Sequence, residues 1–298
     1  MMNGIINIYK EQGFTSFDVV AKLRGICRQK KIGHTGTLDP DATGVLPVCL
    51  GNATRVCDLL TDKIKEYEAV LLFGITTDTQ DISGTILEKK EVNITADDAI
   101  SCIGGFVGSI EQIPPMYSAV KVNGKKLYEL ARQGKEIERK PRPVTIHSID
   151  IIDISLPRVR MRVSCSKGTY IRTLCNDIGT RLGCGAVMES LVRTRSGDFT
   201  IETAVTLDKV NEWADAGTIE EHIIPVDELF KDCGSISLKE DAEKLLKNGN
   251  SFKKRDIASL TEGTVPCRFR VYDHDGSFTA LYDADAAGNL FKVYKMFV

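Results

Sequence analysis

The run Gly33-His34-Thr35-Gly36-Thr37-Leu38-Asp39-Pro40 confines two glycines, two hydroxyls, an imidazole and a carboxylate to one short stretch and closes it with a proline. The glycines permit backbone angles or close approaches that a side chain would block. Pro40 withdraws an amide donor and drives Asp39 towards an extended conformation. A loop of this kind holds one carboxylate at the floor of a cleft, with His34 at its lip. The same residue types also build ordinary strand-to-turn connections with polar tips, so its surroundings decide how the segment is read.

Ile5, Ile6 and Ile8 open a short strand, and a turn follows at Gly13. Ser16 stands as an N-cap with Asp18 in the first turn. Val19, Val20, Leu23, Ile26 and Cys27 then recur at helical spacing, so a basic helix leads directly into the His34 loop. Residues 66–73 read as a strand ended by Gly74. Thr95-Ala-Asp-Asp98 reads as a capping box that opens a helix with Ile100, Ile103 and Phe106 on one face, and residues 126–133 as a helix stopped by Gly134. Residues 158–165 alternate strictly, with Arg158, Arg160, Arg162 and Ser164 on one face and Val159, Met161, Val163 and Cys165 on the other. That is a half-buried strand whose arginine face meets either solvent or phosphate. A helix over 171–182 presents Tyr170 and Arg172 at its N-terminal end. Strands mixed irregularly with helices, without a βαβ rhythm, predict an α+β domain with a largely antiparallel sheet. The pattern changes near 231–237: a short helix over 239–247 is followed by strands at 265–272, 277–282 and 290–297. The expected division is a main domain over 1–232 and a compact, mostly β module over 233–298.

Hydrophobic content of 42% and charged content of 27% describe a globular chain, and no apolar run is long enough to cross a bilayer. No basic region followed by an apolar segment opens the chain, so no signal peptide is expected. Nine cysteines are scattered singly without a Cys-x-x-Cys pair, which indicates neither a disulfide framework nor a zinc site and points to the cytoplasm. The net charge of −2 conceals strong local asymmetry. Lys22, Arg24, Arg28, Lys30 and Lys31 crowd into ten residues without an acid, and 121–142 holds eight basic side chains against three acids. The stretch 202–232 is acidic. Phosphate contact depends on the local patch, so RNA binding stays open.

With its continuation the loop reads GHTGTLDPDATGVLPVCLGNATR, which resembles the signature loop of the TruB-type pseudouridine synthases. Three more segments carry the resemblance. They are Gln112-Ile-Pro-Pro-Met-Tyr-Ser-Ala-Val-Lys121, with Gly124 and Leu127-Tyr-Glu-Leu-Ala-Arg132; Ser166-Lys-Gly-Thr-Tyr-Ile-Arg-Thr173; and Leu191-Val-Arg-Thr-Arg-Ser-Gly197. The resemblance implies a pseudouridine synthase fold with a mixed, largely antiparallel central sheet and flanking helices, followed by a C-terminal RNA-binding module of the PUA type. It implies isomerisation of the T-loop uridine of tRNA (uridine-55) by a monomer that binds the T-arm and needs no cofactor, metal or membrane. Asp39 matches the catalytic aspartate, Arg172 the catalytic cation beside it, and Tyr67 the aromatic that stacks on the flipped uracil and serves as proton acceptor when C5 loses its hydrogen. Tyr170 and Leu191 match the pocket lining, His34 a residue that touches RNA near the flipped nucleotide, and Lys10 a basic residue near the cleft that is expected to bind substrate. The chain departs from the family at Glu11, where a proline is usual. An insertion over about 95–143 is expected to grip RNA, with Lys121, Lys125 and Lys126 on phosphates.

Pseudouridylation leaves the composition of the substrate unchanged, with the C5 hydrogen lost and a proton gained at N1, so the protein has only to extrude the base, supply one ionised group and retain the detached uracil. Three other readings compete: a non-catalytic RNA-folding factor on the same scaffold, an RNA-guided relative working inside a particle, and a cysteine-dependent uracil methyltransferase. The intact Asp39, Tyr67 and Arg172 set speaks against the first. The lack of a lysine-rich tail speaks against the second, and the lack of a cofactor loop against the third. The polar run 77–84 lacks the alternating ligands of a calcium loop and reads as a turn.

Overall fold

The computed structural model describes residues 1–122 and 124–297. In chain order the first part contains β1 (Gly4–Lys10), α1 (Ser16–Ile26), β2 (Ile32–His34), β3 (Thr43–Leu50), α2 (Cys57–Thr61), β4 (Lys65–Phe73), β5 (Ile75–Thr77), β6 (Ile86–Lys89), α3 (Ala96–Gly104) and β7 (Gly108–Gln112). Next come β8 (Lys121–Val122), β9 (Lys125–Lys126), α4 (Leu127–Ala131), β10 (Arg142–Ser155), β11 (Arg158–Cys165), α5 (Ile171–Arg181), β12 (Ala186–Ser196), β13 (Phe199–Thr200) and α6 (Leu207–Ala216). The large sheet runs β1-β3-β12-β4-β11-β10-β7, with β2 on β3 and β13 on β12. Its pairings are antiparallel except at one seam, where β12 lies parallel to β3 and Arg193 faces Gly44. The seam is tight: Gly44 has φ 103°, and a Cβ there would overlap the main chain of Arg193.

Helices cover both faces of this sheet. α3 and α5 bury Ile103, Leu174 and Ile178 against Leu71, Met161 and Val163. On the other side α1 and α6 bury Val19, Val20, Leu23 and Val210 against Ile6, Ile8 and Val48. Residues 233–296 form a second sheet from β14 (Cys233–Leu238), β15 (Phe252–Lys253), β16 (Ile257–Thr261), β17 (Val265–Tyr272), β18 (Phe278–Ala284) and β19 (Leu290–Met296), in the order β15-β19-β18-β17-β14-β16. Its helix α7 (Glu243–Lys247) contributes Leu246 to a separate core with Phe252, Phe269 and Tyr282.

Three local expectations need correction. The cap of α1 is Thr15, in a capping box with Asp18; Ser16 is the first helical residue, and its hydroxyl accepts the Leu38 amide at 2.9 Å. The α3 capping box forms as expected from Thr95 and Asp98, but Ala99 and Ile103 are buried while Ile100 is exposed and Phe106 lies past the helix end. The arginine face of β11 meets solvent, one of its two readings, and there Arg158 pairs with Glu189, and Arg160 and Arg162 with Glu68. Finally, residues 96–112 belong to the large sheet through α3 and edge strand β7, so only 113–141 leave it, between Gln112 and Arg142.

Candidate active site

The 33–40 loop is braced from below. Leu38 is driven into the core beside Ala69 and Leu191. The Pro40 carbonyl accepts the Gly13 amide at 3.0 Å, and the Ala42 amide donates to the Asp39 carbonyl at 3.1 Å. Lys10, expected at the substrate, is instead 0% exposed. Its ammonium donates to the carbonyls of Glu11 (3.1 Å), Phe14 (2.5 Å) and Pro40 (3.0 Å). Burial pulls its pKa down to about 8, yet three acceptors engage all three N–H groups of the charged form. Lys10 is a strut under the loop, with no donor left for a substrate.

This bracing leaves the Asp39 side chain at the opening, 37% exposed, and 3.1 Å from Nη2 of Arg172, which is only 5% exposed. Burial pushes the Asp39 carboxyl above its ordinary pKa, and the Arg172 charge opposes that push. Arg172 gathers three segments. Nη2 also donates to the Tyr117 carbonyl at 2.7 Å, and Nη1 donates to the Thr79 carbonyl at 3.4 Å while lying 3.7 Å from the Asp81 carboxylate. The other oxygen of Asp81 accepts from the hydroxyls of Thr79 and Ser83 at 2.7 and 2.6 Å. The 77–84 run is therefore a turn that brings a second carboxylate to the same guanidinium.

Tyr67 stands in the centre of the sheet, on β4 between Val163 and Arg193, and packs against the core cluster that contains Leu38 and Leu191. Burial raises its phenol pKa, with the Asp39 charge and the Arg193 guanidinium both near its hydroxyl. Tyr170 caps α5 in sequence position and has its phenol pKa raised by burial, with Ser118 and Arg172 close by. His34 ends β2 with Nδ1 accepting the Gly36 amide at 3.3 Å. Burial, with Arg193 second, lowers its pKa, so the ring is neutral at pH 7 and its proton sits on Nε2.

The sequence motifs do not mark Arg193, Asp81 or Gln112 as residues of the site. Arg193 is 1% exposed and ties the loop to the sheet, donating from Nε to the Val45 carbonyl at 2.6 Å and from Nη2 to Gly36 at 3.2 Å. It lies inside the 191–197 segment, directly after Leu191 and Val192 and followed by Thr-Arg-Ser-Gly, and nothing in that spacing marks it as buried. Among the described residues no group of three or more His, Cys, Asp or Glu side chains is placed to hold a metal ion.

A mixed central sheet with helices on both faces, followed by a C-terminal β module, is the fold of the pseudouridine synthases. The chain is similar over 99% of its length, with a TM-score of 0.73 and 30% identity, to 85% of a chain in the crystal structure of a Cbf5-Nop10-Gar1 complex. It is likewise similar, with TM-score 0.72 and 28% identity over 99% and 85% of the two chains, to a chain of an H/ACA RNP bound to a substrate RNA containing 2'-deoxyuridine. Residues 24–171 match the TruB family pseudouridylate synthase N-terminal domain, and 172–231 match the tRNA pseudouridylate synthase B C-terminal domain. The tRNA pseudouridine synthase B of Lachnoclostridium phytofermentans is 53% identical over the full length of both chains, and that of Clostridium tetani 45%. The chain belongs to the TruB family of pseudouridylate synthases.

Proposed function

We propose that this chain acts as a monomer on the T-arm of tRNA and isomerises uridine-55 to pseudouridine, with Asp39 as the reacting carboxylate. The observation that carries the proposal is a half-open carboxylate held 3.1 Å from a buried guanidinium at the floor of a braced loop. Breaking the C1′–N1 bond and rejoining through C5 needs an ionised group in a poorly hydrated site, and Arg172 supplies the counter-charge that keeps it ionised. Attack on C1′, attack on C6 and removal of a sugar proton are all chemistries open to that oxygen.

Extruding the base costs a few kcal/mol, and stacking on an aromatic returns about 1–3 kcal/mol. Tyr67 fits that stacking role, with Tyr170 and Leu191 around the uracil and His34 offering its Nε2–H to RNA at the lip. Segment 113–141, with exposed Lys121 and Lys125, would grip the arm, and 233–298 would bind further along the RNA. The test is tritium release from [5-³H]uridine in a T-arm transcript. Wild type should release one tritium per transcript. Asp39→Asn should bind normally and lose roughly 10⁴-fold in rate, the scale seen when a group of this kind is removed. Release from another uridine, or an active Asp39→Asn, would overturn the proposal.

A further inference from the structure

The helices that flank the large sheet begin in two different ways. α1, α3 and α6 each start on a threonine whose hydroxyl accepts an amide of the first turn: Thr15, Thr95 and Thr206. α5, which carries Arg172, has no such cap. Its N-cap is Tyr170, whose side chain bonds no first-turn amide, and no acid stands in that turn to complement the helix dipole. The start of this helix is held by a side chain from another strand. Gln112, 1% exposed, lays its amide along the main chain of Tyr170. The Tyr170 amide donates to Oε1 at 3.0 Å, and Nε2 donates to the Tyr170 carbonyl at 3.2 Å. Two bonds from one planar amide fix both the position and the rotation of the residue they grip.

We infer that Gln112 is a positioning residue for the isomerisation: it holds the turn from which Tyr170 and Arg172 both project, and so sets the guanidinium against Asp39. The inference rests on the proposed reaction and deepens it. Gln112 is also the last residue of β7, facing Arg142, so the sheet releases and recovers segment 113–141 at this rung. One residue of that segment bonds the same turn directly: the Tyr117 carbonyl accepts from Arg172 Nη2 at 2.7 Å. The root of the proposed RNA-gripping segment and the first turn of α5 therefore form one hydrogen-bonded body. Tension on that segment when RNA binds reaches the Asp39–Arg172 pair through Gln112 as well as through the Tyr117 carbonyl.

Gln112→Met keeps the length and bulk of the side chain and deletes both bonds; Gln112→Glu keeps the acceptor and sets an oxygen against the Tyr170 carbonyl. Each is compared with wild type in single-turnover isomerisation of the T-arm transcript across pH, in transcript binding and in thermal unfolding. Gln112→Met should slow turnover about ten- to a hundredfold, the scale of a small misplacement, with unchanged transcript affinity. The acid limb of its pH–rate profile should move to higher pH, because Asp39 loses part of its counter-charge. Gln112→Glu should slow at least as much. A wild-type rate and acid limb in Gln112→Met would overturn the inference, as would a rate loss that follows the folded fraction with the acid limb unmoved. If Gln112→Met does not fold, Gln112→Asn, one methylene short of both partners, gives the same readings. An inactive wild type would refute the proposed reaction, whereas an active wild type with a silent Gln112→Met refutes only the role of Gln112.

Discussion

Asp39 is pulled two ways: burial raises its pKa and the Arg172 charge lowers it, with burial the larger influence. A reacting carboxylate must be ionised, so turnover should fall as the pH drops through this raised pKa. Arg172→Met should lose most turnover while the protein stays folded, and what activity remains should need a higher pH, because the opposing charge is gone. A pH–rate series on both proteins checks this, and coincident acid limbs would refute the pairing. The sign for stability is the reverse of the usual carboxylate. The folded chain binds this proton more tightly than the unfolded one, so Asp39 contributes less stability as pH rises from its ordinary value through the folded one. Asp39→Asn should therefore melt no lower than wild type at neutral pH, with any gain vanishing in acid. His34→Ala should weaken binding and rate without abolishing the reaction, since the neutral ring carries no charge at the reacting atoms. At this scale the sequence named Asp39 and Arg172 from two distant motifs, and their 3.1 Å approach needed the fold. For Lys10 the motif records that a cation is present and not which way it faces, and the fold turns it onto three carbonyls beneath the loop. Asp81 looked like a polar turn because only tertiary structure turns it towards Arg172.

Elements with strong local rules were the legible ones. The Thr95–Asp98 capping box and the strict alternation of 158–165 both form as read. The α1 cap slipped by one residue because Thr15 and Ser16 are equally able N-caps, and tertiary structure decides between them by giving the Ser16 hydroxyl to Leu38. The parallel seam between β3 and β12 was illegible, since nothing in either strand announces its partner. Gly44 is the residue that permits it. Gly44→Ala would set a Cβ into the main chain of Arg193 at φ 103° and should cost more than about 2 kcal/mol. On a chain of 298 residues that corresponds to a fall of about 3 °C or more in Tm. The same change should misplace the loop and reduce turnover in the fraction that folds. An unchanged melting temperature would show that the seam relaxes freely.

Charge and cohesion belong to the whole molecule. The arginines of β11 are neutralised by Glu68 and Glu189, while Lys121 and Lys125 are exposed on the β8–β9 ribbon. Binding of a T-arm should weaken steeply with salt, and Lys121→Ala or Lys125→Ala should each reduce the log–log slope by about 1, with Arg160→Ala leaving it unchanged. An equal loss in Arg160→Ala would place RNA on the outer face of that strand. The change of pattern near 231–237 in the sequence separates two modules, but it does not reveal that they share a core. Leu281 and Phe297 of the second module are buried with Ile5, Val45, Cys49 and Phe199 of the first. The Lys295 ammonium lies 2.6 Å from Asp58, and the Tyr272 hydroxyl donates to Asp227 at 2.9 Å across the same junction. Burying a large apolar side chain stabilises by about 1.5–3 kcal/mol, so ending the chain after residue 232 removes about 3–6 kcal/mol from the first module. It also bares an apolar patch. The full chain should therefore unfold in a single calorimetric transition, and the shortened one should melt lower and aggregate. Two separate transitions in the full chain, or a shortened chain as stable as the whole, would show that the shared cluster does not couple the modules.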